Sequence, residues 1–323
     1  MIQTELLETS EEGFARSAEM LRQGQCVAFP TETVYGLGAN ASDAAAVARI
    51  YAAKERPSFN PLIAHFSSAE AAIAQGRFSQ DALALAAAFW PGPLTLVVPV
   101  GDQTGICDLA RAGLPSVGLR VPSHPVAREL LRRVNFPVAA PSANSSGHVS
   151  ATSAEHVLED LRGRVAAVLD GGPTDVGVES TIIDCTGPVL RLLRPGGISR
   201  EQVEQVIRKP LGERPAPSAV PLAPGMLTSH YAPEAVVRLE ASEVFPGEAV
   251  ILFGPVSPPG TEQAAAIENL SPSGNLEEAA ARLFAILRKL DAAGVATIAV
   301  APIPRTGLGE AINDRLQRAA AAR

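Results

Sequence analysis

Two hydrophobic periods alternate along this chain up to about residue 208: short β-branched runs, and longer stretches whose apolar positions return at helical spacing. Residues 25–29, 62–66, 94–100 and 117–120 read as strands, and 137–140, 165–169, 181–185 and 189–193 extend the sheet. Helices fall between them. Residues 42–54 begin with Ser42 or Asp43 as cap, set Val47, Ile50, Tyr51 and Lys54 on one face, and stop before Pro57. Residues 80–89 end at Trp90-Pro91-Gly92-Pro93, and Ser123-His124-Pro125 opens a helix through Val134. Thr152-Ser153-Ala154-Glu155 has the spacing of a capping box, and Ser199 with Gln202 starts one more helix.

The texture then changes. Prolines at 210, 215, 217, 221 and 224 interrupt any period, which predicts an extended linker over 209–233. Beyond it, 236–239, 249–253 and 297–300 read as apolar strands, and 276–290 as a helix with Leu283, Ile286, Leu287 and Leu290 inward. The pattern predicts an α/β protein in three parts: a larger domain over 1–208, the linker, and a smaller three-layer α/β domain over 234–323.

Composition narrows the function classes. A chain of 323 residues with 46% hydrophobic and 19% charged residues can build two cores. A net charge of −7 gives no footprint for gripping long nucleic acid, so little direct nucleic-acid binding is expected. Cys26, Cys107 and Cys185 are widely spaced, which argues against a disulfide framework or a zinc site and fits a reducing cytoplasm. No signal peptide is expected in the acidic first residues, and no run approaches the roughly 18 apolar residues of a membrane span.

Standard catalytic motifs are missing. The lysines are Lys54, Lys209 and Lys289, none after a glycine, which excludes a Walker A loop. Gly36-Leu37-Gly38 lacks the third glycine of a dinucleotide fingerprint, the histidines show no HExxH spacing, and Ser142 lies in no GxSxG elbow. What remains is a set of hydroxyl-, amide- and glycine-rich loops at strand ends. Thr31-Glu32-Thr33 follows the first strand, Pro141-Ser142-Ala143-Asn144-Ser145-Ser146-Gly147 follows another, and Gly177-Val178-Glu179-Ser180-Thr181 leads into a third. Such loops offer backbone N–H and hydroxyl donors to phosphate or carboxylate, and Lys54-Glu55-Arg56 adds two cations at a helix end. Taken singly, each has an ordinary reading as well: a turn, a solvated helix end, a packed histidine at His65, or a linker tyrosine at Tyr231.

The ordered motifs Phe29-Pro30-Thr31-Glu32-Thr33-Val34-Tyr35-Gly36-Leu37-Gly38, Lys54-Glu55-Arg56-Pro57, Asn60-Pro61-Leu62, Trp90-Pro91-Gly92-Pro93-Leu94-Thr95, Val117-Gly118-Leu119-Arg120, Gly177-Val178-Glu179-Ser180-Thr181, Leu193-Arg194-Pro195-Gly196 and His230-Tyr231-Ala232-Pro233 resemble one family. It is the L-threonylcarbamoyladenylate synthases in their two-domain form. Leu227-Thr228-Ser229 departs from it, where relatives often carry basic or aromatic residues. The resemblance implies a YrdC-like twisted mixed sheet with flanking helices, followed by a Rossmann-like α/β/α C-terminal domain. It implies an adenylate-forming enzyme that joins L-threonine, bicarbonate and ATP, with Mg²⁺ carried by the ATP rather than by protein ligands. A downstream transferase acting on tRNA would consume the product.

Carried over by motif, the resemblance puts Lys54 and Arg56 in catalytic roles on phosphate or carbamate. Thr33, His65, Arg120, Ala140 and Ser180 would hold threonine, with Arg120 on its carboxylate. Arg56, Asn60, Ser116, Ser142, Asn144, Ser150, Arg194 and Tyr231 would line the ATP site. Lys54 and Arg56 are expected at the surface, so that replacing either removes turnover and leaves stability nearly unchanged. A chain ending near Lys209 is expected to fold on its own core. Two rivals stay open: a carbamoyl-phosphate-dependent enzyme, which normally brings zinc-finger modules that need more cysteines, and a non-catalytic RNA-binding module, which the acidic balance disfavours.

Overall fold

A computed structural model describes residues 2–213, 223 and 231–321. The first part of the chain lays down β1 (Glu5–Glu8), α1 (Glu11–Arg22), β2 (Val27–Pro30), β3 (Tyr35–Asn40) and α2 (Ala44–Lys54). Next come β4 (Ile63–His65), α3 (Ala69–Ile73), α4 (Gln80–Phe89), β5 (Leu94–Pro99), β6 (Ser116–Arg120), α5 (Pro125–Val134) and β7 (Val138–Ala139). The unit closes with α6 (Ala154–Leu161), β8 (Ala167–Asp170), β9 (Thr181–Asp184), β10 (Arg191–Arg194) and α7 (Arg200–Ile207). These strands form one mixed sheet in the order β1-β8-β2-β3-β7-β4-β6-β5-β9-β10.

Helices cover both faces because each carries one apolar stripe. The larger core joins α2, α4, α6 and α7 to one side of the sheet through residues such as Val47, Ile50, Leu85, Val157 and Val203. On the other side α1 and α5 pack Leu21, Leu130 and Leu131 against Val27, Phe29 and Leu169. Strand β3 was hidden in the sequence by its glycines, and the reason is steric: a Cβ on Gly38 would lie 2.6 Å from the Phe29 ring. The glycines of β3 therefore serve close packing of β2 on β3, which pair antiparallel.

Local signals hold with one change. Asp43 caps α2, His124 caps α5, and Ser199 with Gln202 makes a full capping box. The capping box expected at Thr152–Glu155 does not form. Ser153 is the N-cap of α6 and accepts from His156 N, while Thr152 is turned to the His156 ring.

The second unit contains β11 (Val236–Arg238), β12 (Ala249–Leu252), β13 (Ala266–Asn269), α8 (Leu276–Ala292), β14 (Thr297–Val300) and α9 (Leu308–Ala320). Its strands form a parallel sheet ordered β11-β14-β12-β13. Both α8 and α9 share one apolar cluster with Val237, Ile251, Ile298 and Val300. The opposite face meets Ala241, Val244 and Ala264 from the 239–265 segment. On either side of β12 that segment carries Pro246, Pro255, Pro258 and Pro259, so coil and a 3₁₀ turn (Thr261–Gln263) form the layer in place of a helix. Among the described residues no helix is long and apolar enough to cross a membrane. Most of the predicted 209–233 linker, including Leu227-Thr228-Ser229 and His230, lies outside the described residues. Ala223 is buried with Ile63, Val97, Ile182 and Leu193.

Candidate active site

Strand ends from the middle of the large sheet converge on one cavity. At the β2–β3 turn the Thr31 hydroxyl binds Thr33 Oγ1 at 2.8 Å and also meets the backbone of Val34, which fixes the turn. Arg120 ends β6 and donates to Glu32 Oε1 at 2.7 Å and Thr33 Oγ1 at 3.0 Å. The second Glu32 oxygen accepts from Ser123 N at 3.1 Å. His65 is the register partner of Arg120 across β4 and β6, and its Nδ1 lies 3.1 Å from Ile63 O. Burial, and then the Arg120 charge, push the His65 pKa down to about 3, so the ring is neutral at physiological pH.

The β9–β10 side contributes Ser180 and Arg194. Ser180 Oγ pairs with Thr95 Oγ1 at 2.8 Å. Arg194 donates through Nε and Nη2 to Ser180 O at 3.1 and 2.9 Å, and to Ser180 Oγ at 3.1 Å. Glu179 stands just before them, receiving Ser150 Oγ and Arg315 Nε, each at 2.6 Å.

The third wall comes from the end of α2, and here one expectation is corrected. Lys54 and Arg56 are not at the surface; they are 1% and 8% exposed. The left-handed Glu55 turns the chain out of the helix between them and lets both side chains run inward. Lys54 Nζ donates to Ser142 O at 2.6 Å and to Asn144 O, so it braces the 141–147 loop from behind. Arg56 donates to Pro61 O at 3.1 Å and Asn60 O at 3.4 Å. Desolvation lowers both cations, Arg56 to about 10 and Lys54 well below its usual value, with Arg56 adding repulsion on Lys54.

The cavity has an empty volume of about 470 Å³, part of it open to solvent. Of the residues singled out from the sequence, Thr33, Arg56, His65, Arg120, Ala140, Ser142, Ser180, Arg194 and Tyr231 line it. Lys54, Asn60, Ser116, Asn144 and Ser150 do not. Asn60 and Asn144 stay close through the carbonyls that Arg56 and Lys54 hold, and Ser150 acts through Glu179. Ser116 begins β6, so it lies four residues, about 13 Å, from Arg120 along the strand.

Sequence reasoning gave no role to Glu32 or Glu179, although both stand in quoted motifs. Glu32 is the carboxylate partner of Arg120, and Glu179 lines the cavity. Burial raises the Glu179 pKa, but Arg315 and Arg194 outweigh it and bring the group to about 2. Tyr231 is stacked on Phe284 with ring centroids 5.4 Å apart, and the Ala232 N–H reaches Gly147 O at 3.0 Å.

The balance of charge is the informative quantity. Arg120 and Arg315 have carboxylate partners, Glu32 and Glu179. Among the described residues, Arg56 and Arg194 are held only by carbonyl and hydroxyl oxygens. Arg56 Nε, Arg120 Nε, Asn60 Oδ1 and Asn144 Oδ1 are buried without a hydrogen-bond partner among the described residues. Buried polar groups are rarely left so. The arrangement sets spare donors and acceptors beside two cations, which suits an anionic ligand.

The family model described as "Telomere recombination" matches residues 19–196, and that described as "Threonylcarbamoyl-AMP synthase, C-terminal domain" matches 198–321. The threonylcarbamoyl-AMP synthase of Bacillus subtilis is 41% identical over 99% of this chain and 96% of its own length. That of Pyrococcus abyssi is 41% identical over 94% and 92%. The structure of Pyrococcus abyssi Sua5 complexed with L-threonine superposes with a TM-score of 0.88 at 38% identity, covering 99% of this chain and 97% of that one. With two family models in tandem, near-complete coverage by these relatives and this cavity at the centre of the sheet, the chain belongs to the threonylcarbamoyl-AMP synthase family.

Proposed function

We propose that this chain joins L-threonine, bicarbonate and ATP into L-threonylcarbamoyl-AMP and pyrophosphate at the cavity between β4, β6, β9 and β10. The supporting observation is the pair Arg56 and Arg194, two desolvated guanidiniums without carboxylate partners among the described residues. The threonine amine and bicarbonate form a carbamate with loss of water. A carbamate oxygen then attacks the α-phosphorus and pyrophosphate leaves. Both partners in that step are anions, so bringing them together needs fixed cations more than it needs a strong base. Arg56 and Arg194 supply that charge in a site already shielded from water.

In this reading Arg120, steadied by Glu32, takes the threonine carboxylate, and Thr33, Ser180 and the neutral His65 surround the side chain and amine, with Ala140 at the wall. Ser142, Asn60, Asn144, Ser150 and Tyr231 attend the nucleotide, Lys54 holds the 141–147 loop in place for it, and Ser116 is assigned on the resemblance alone. Mg²⁺ arrives on the triphosphate and offsets its charge. The product is a labile mixed anhydride, which calls for a transferase acting on tRNA to consume it.

The test is pyrophosphate release by the purified protein given ATP, bicarbonate and each amino acid in turn. Release should require threonine and bicarbonate. A pocket built to hydrogen-bond a hydroxyl should reject valine more than serine, since losing a methyl changes selectivity by about 1–3 kcal/mol while an unpaired buried polar group excludes the isostere more strongly. Orthophosphate in place of pyrophosphate, or indifference to threonine, overturns the assignment and favours the carbamoyl-phosphate alternative.

A further inference from the structure

The second unit reaches into the wall of this cavity. Gly177, with a backbone φ of +72°, lies so close to α8 that a Cβ there would come within 2.4 Å of Ala281 Cα. The loop that carries Glu179 is thus pressed against the second unit. On the same side α9 sends in Arg315, which is fully buried. Arg315 Nε donates to Glu179 Oε2 at 2.6 Å, and Nη2 donates to Pro195 O, the carbonyl after Arg194, at 2.9 Å. Nη1 binds the neighbouring Asp314 at 2.7 Å, and the guanidinium lies 5.4 Å from the Tyr231 ring centre.

Among the described residues lining the cavity Glu179 is the only carboxylate, and threonine brings one ammonium group. We infer that Arg315 is a positioning residue for the proposed reaction: from the second unit it fixes the Glu179 carboxylate, charged and oriented, where it meets the threonine ammonium. This rests on the reading of the cavity as a threonine site. One guanidinium thereby ties the segment that leads into β9 to the one that leaves β10.

The groups facing Glu179 are Arg194 from β10, Arg315 from α9, Tyr231, on which Arg318 of α9 also acts, and Ser150, whose carbonyl is in turn reached by Arg288 of α8. Removing Arg315 takes away the closest of these cations and leaves Glu179 desolvated. Its carboxyl then binds a proton more readily, and function that depends on the carboxylate is lost at a higher pH than in the wild type.

The experiment uses the full chain as wild type, Arg315→Ala, Arg315→Lys, Glu179→Gln and Arg315→Ala/Glu179→Gln. Threonine and ATP KM values and the pH profile of kcat/KM for threonine are measured by pyrophosphate release, with threonine binding followed by calorimetry. Arg315→Ala should raise the threonine KM about tenfold or more, and move the acidic limb upward by about 1–3 pH units, with the ATP KM little changed. Arg315→Lys should bring the limb part of the way back. Glu179→Gln should match the loss in threonine affinity and show no limb, and the double variant should be no worse than Glu179→Gln alone.

A wild-type limb and threonine KM in both Arg315 variants overturn the inference, as does a limb shift that persists without Glu179. If Arg315→Ala does not fold, Arg315→Lys and Glu179→Gln decide the matter by the same readouts. An active wild type with unaffected variants defeats this inference alone. A wild type that neither binds threonine nor releases pyrophosphate with it defeats the reading of the cavity, and the inference with it.

Discussion

The two sheets treat charge in opposite ways. The large one buries Lys54, Arg56, His65, Arg120, Glu179 and Arg194 around the ends of its strands and the adjoining helix and loop. The small one buries Val250, Ile251, Ile298 and Ala299 along its two faces, and its buried cations Arg315 and Arg318 sit on α9, with Arg315 turned toward the first unit. Desolvating an ion costs several kcal/mol unless partners compensate. The second unit bears this cost at Glu248, Arg315 and Arg318, each beside an opposite charge. The first gathers it around one cavity and leaves Arg56 and Arg194 there without an ion pair among the described residues, which marks where the protein's chemistry lies. The second unit then reads as an apolar scaffold that delivers one guanidinium.

The largest effects should come from the cations without carboxylate partners. Arg56→Ala and Arg194→Ala are each expected to cut threonine-dependent turnover by about 10²–10³-fold, the usual loss when one preorganised charge-stabilising donor is removed. Removing either guanidinium relieves a desolvated charge but leaves the carbonyls it holds, those of Asn60 and Pro61 or of Ser180, without their donor, so both melts should fall, and by less than that of Arg120→Ala. Arg120→Ala should differ in kind. It strands Glu32 in the interior, so it should cost about 3–5 kcal/mol of stability as well as raising the threonine KM. Near-wild-type turnover in the first two variants, or equal stability losses in all three, would erase the distinction between paired and unpaired cations.

Truncation after Lys209 attacks the comparison from the other side. Val34, Val149 and Val178 of the first unit belong to the same apolar cluster as α8 and α9, and Glu179 loses Arg315. The shortened chain retains its main core and should fold, with a lower melt than the full chain and weakened threonine binding. A shortened chain that binds threonine as tightly as the full one would show the second unit to be independent of the site.

Lys54→Ala follows. The sequence led us to expect an unchanged melt, but the ammonium satisfies two carbonyls behind the cavity. Each unsatisfied buried acceptor costs about 1–3 kcal/mol, so a loss of about 3 kcal/mol and a melt lower by about 5–10 °C are expected. A melt within a degree of the wild type would mean that the 141–147 loop needs no brace.

These contrasts also show what was legible in advance. The burial of Lys54 was written in the pattern, since it shares a helix face with Val47, Ile50 and Tyr51. Runs of branched apolar residues disclosed β5, β9, β12 and β14, because central strands see little solvent on either face. Strand β3 was obscured by Gly36 and Gly38, whose value lies in what they let approach. Strand β13 escaped because Ala266–Asn269 is an edge with no buried residue and little apolar bulk. Helix α9 buries Ala311, Ile312, Leu316 and Ala319 but begins at Gly307 with no side-chain cap, so it gave no start signal. The motif resemblance found nine of the cavity-lining residues. It gave no role to Glu179, whose partner lies 136 residues further along and carries no local signature.

The smallest effect concerns His65, and it separates packing from charge. Its folded pKa of about 3 lies below the roughly 6.5 of an exposed histidine, mainly through burial and secondarily through Arg120. Below pH 6.5 the unfolded chain therefore binds a proton that the folded chain refuses. The stability contributed by the neutral ring is complete above that pH and is lost as pH falls toward 3. At about 1.4 kcal/mol per pH unit, going from pH 7 to 5 should cost on the order of 2 kcal/mol from His65. His156, held to about 4 by burial and then Arg288, adds to the slope in the same direction, more weakly because it is partly exposed. Glu179 contributes nothing in this window, since its pKa of about 2 departs from the ordinary carboxylate only at lower pH. Chemical denaturation of wild type and His65→Gln at pH 7, 6 and 5 reads the term directly. The variant should lose markedly less stability across the series, and parallel pH slopes would show that the wild-type ring takes up its proton inside the fold despite the adjacent Arg120.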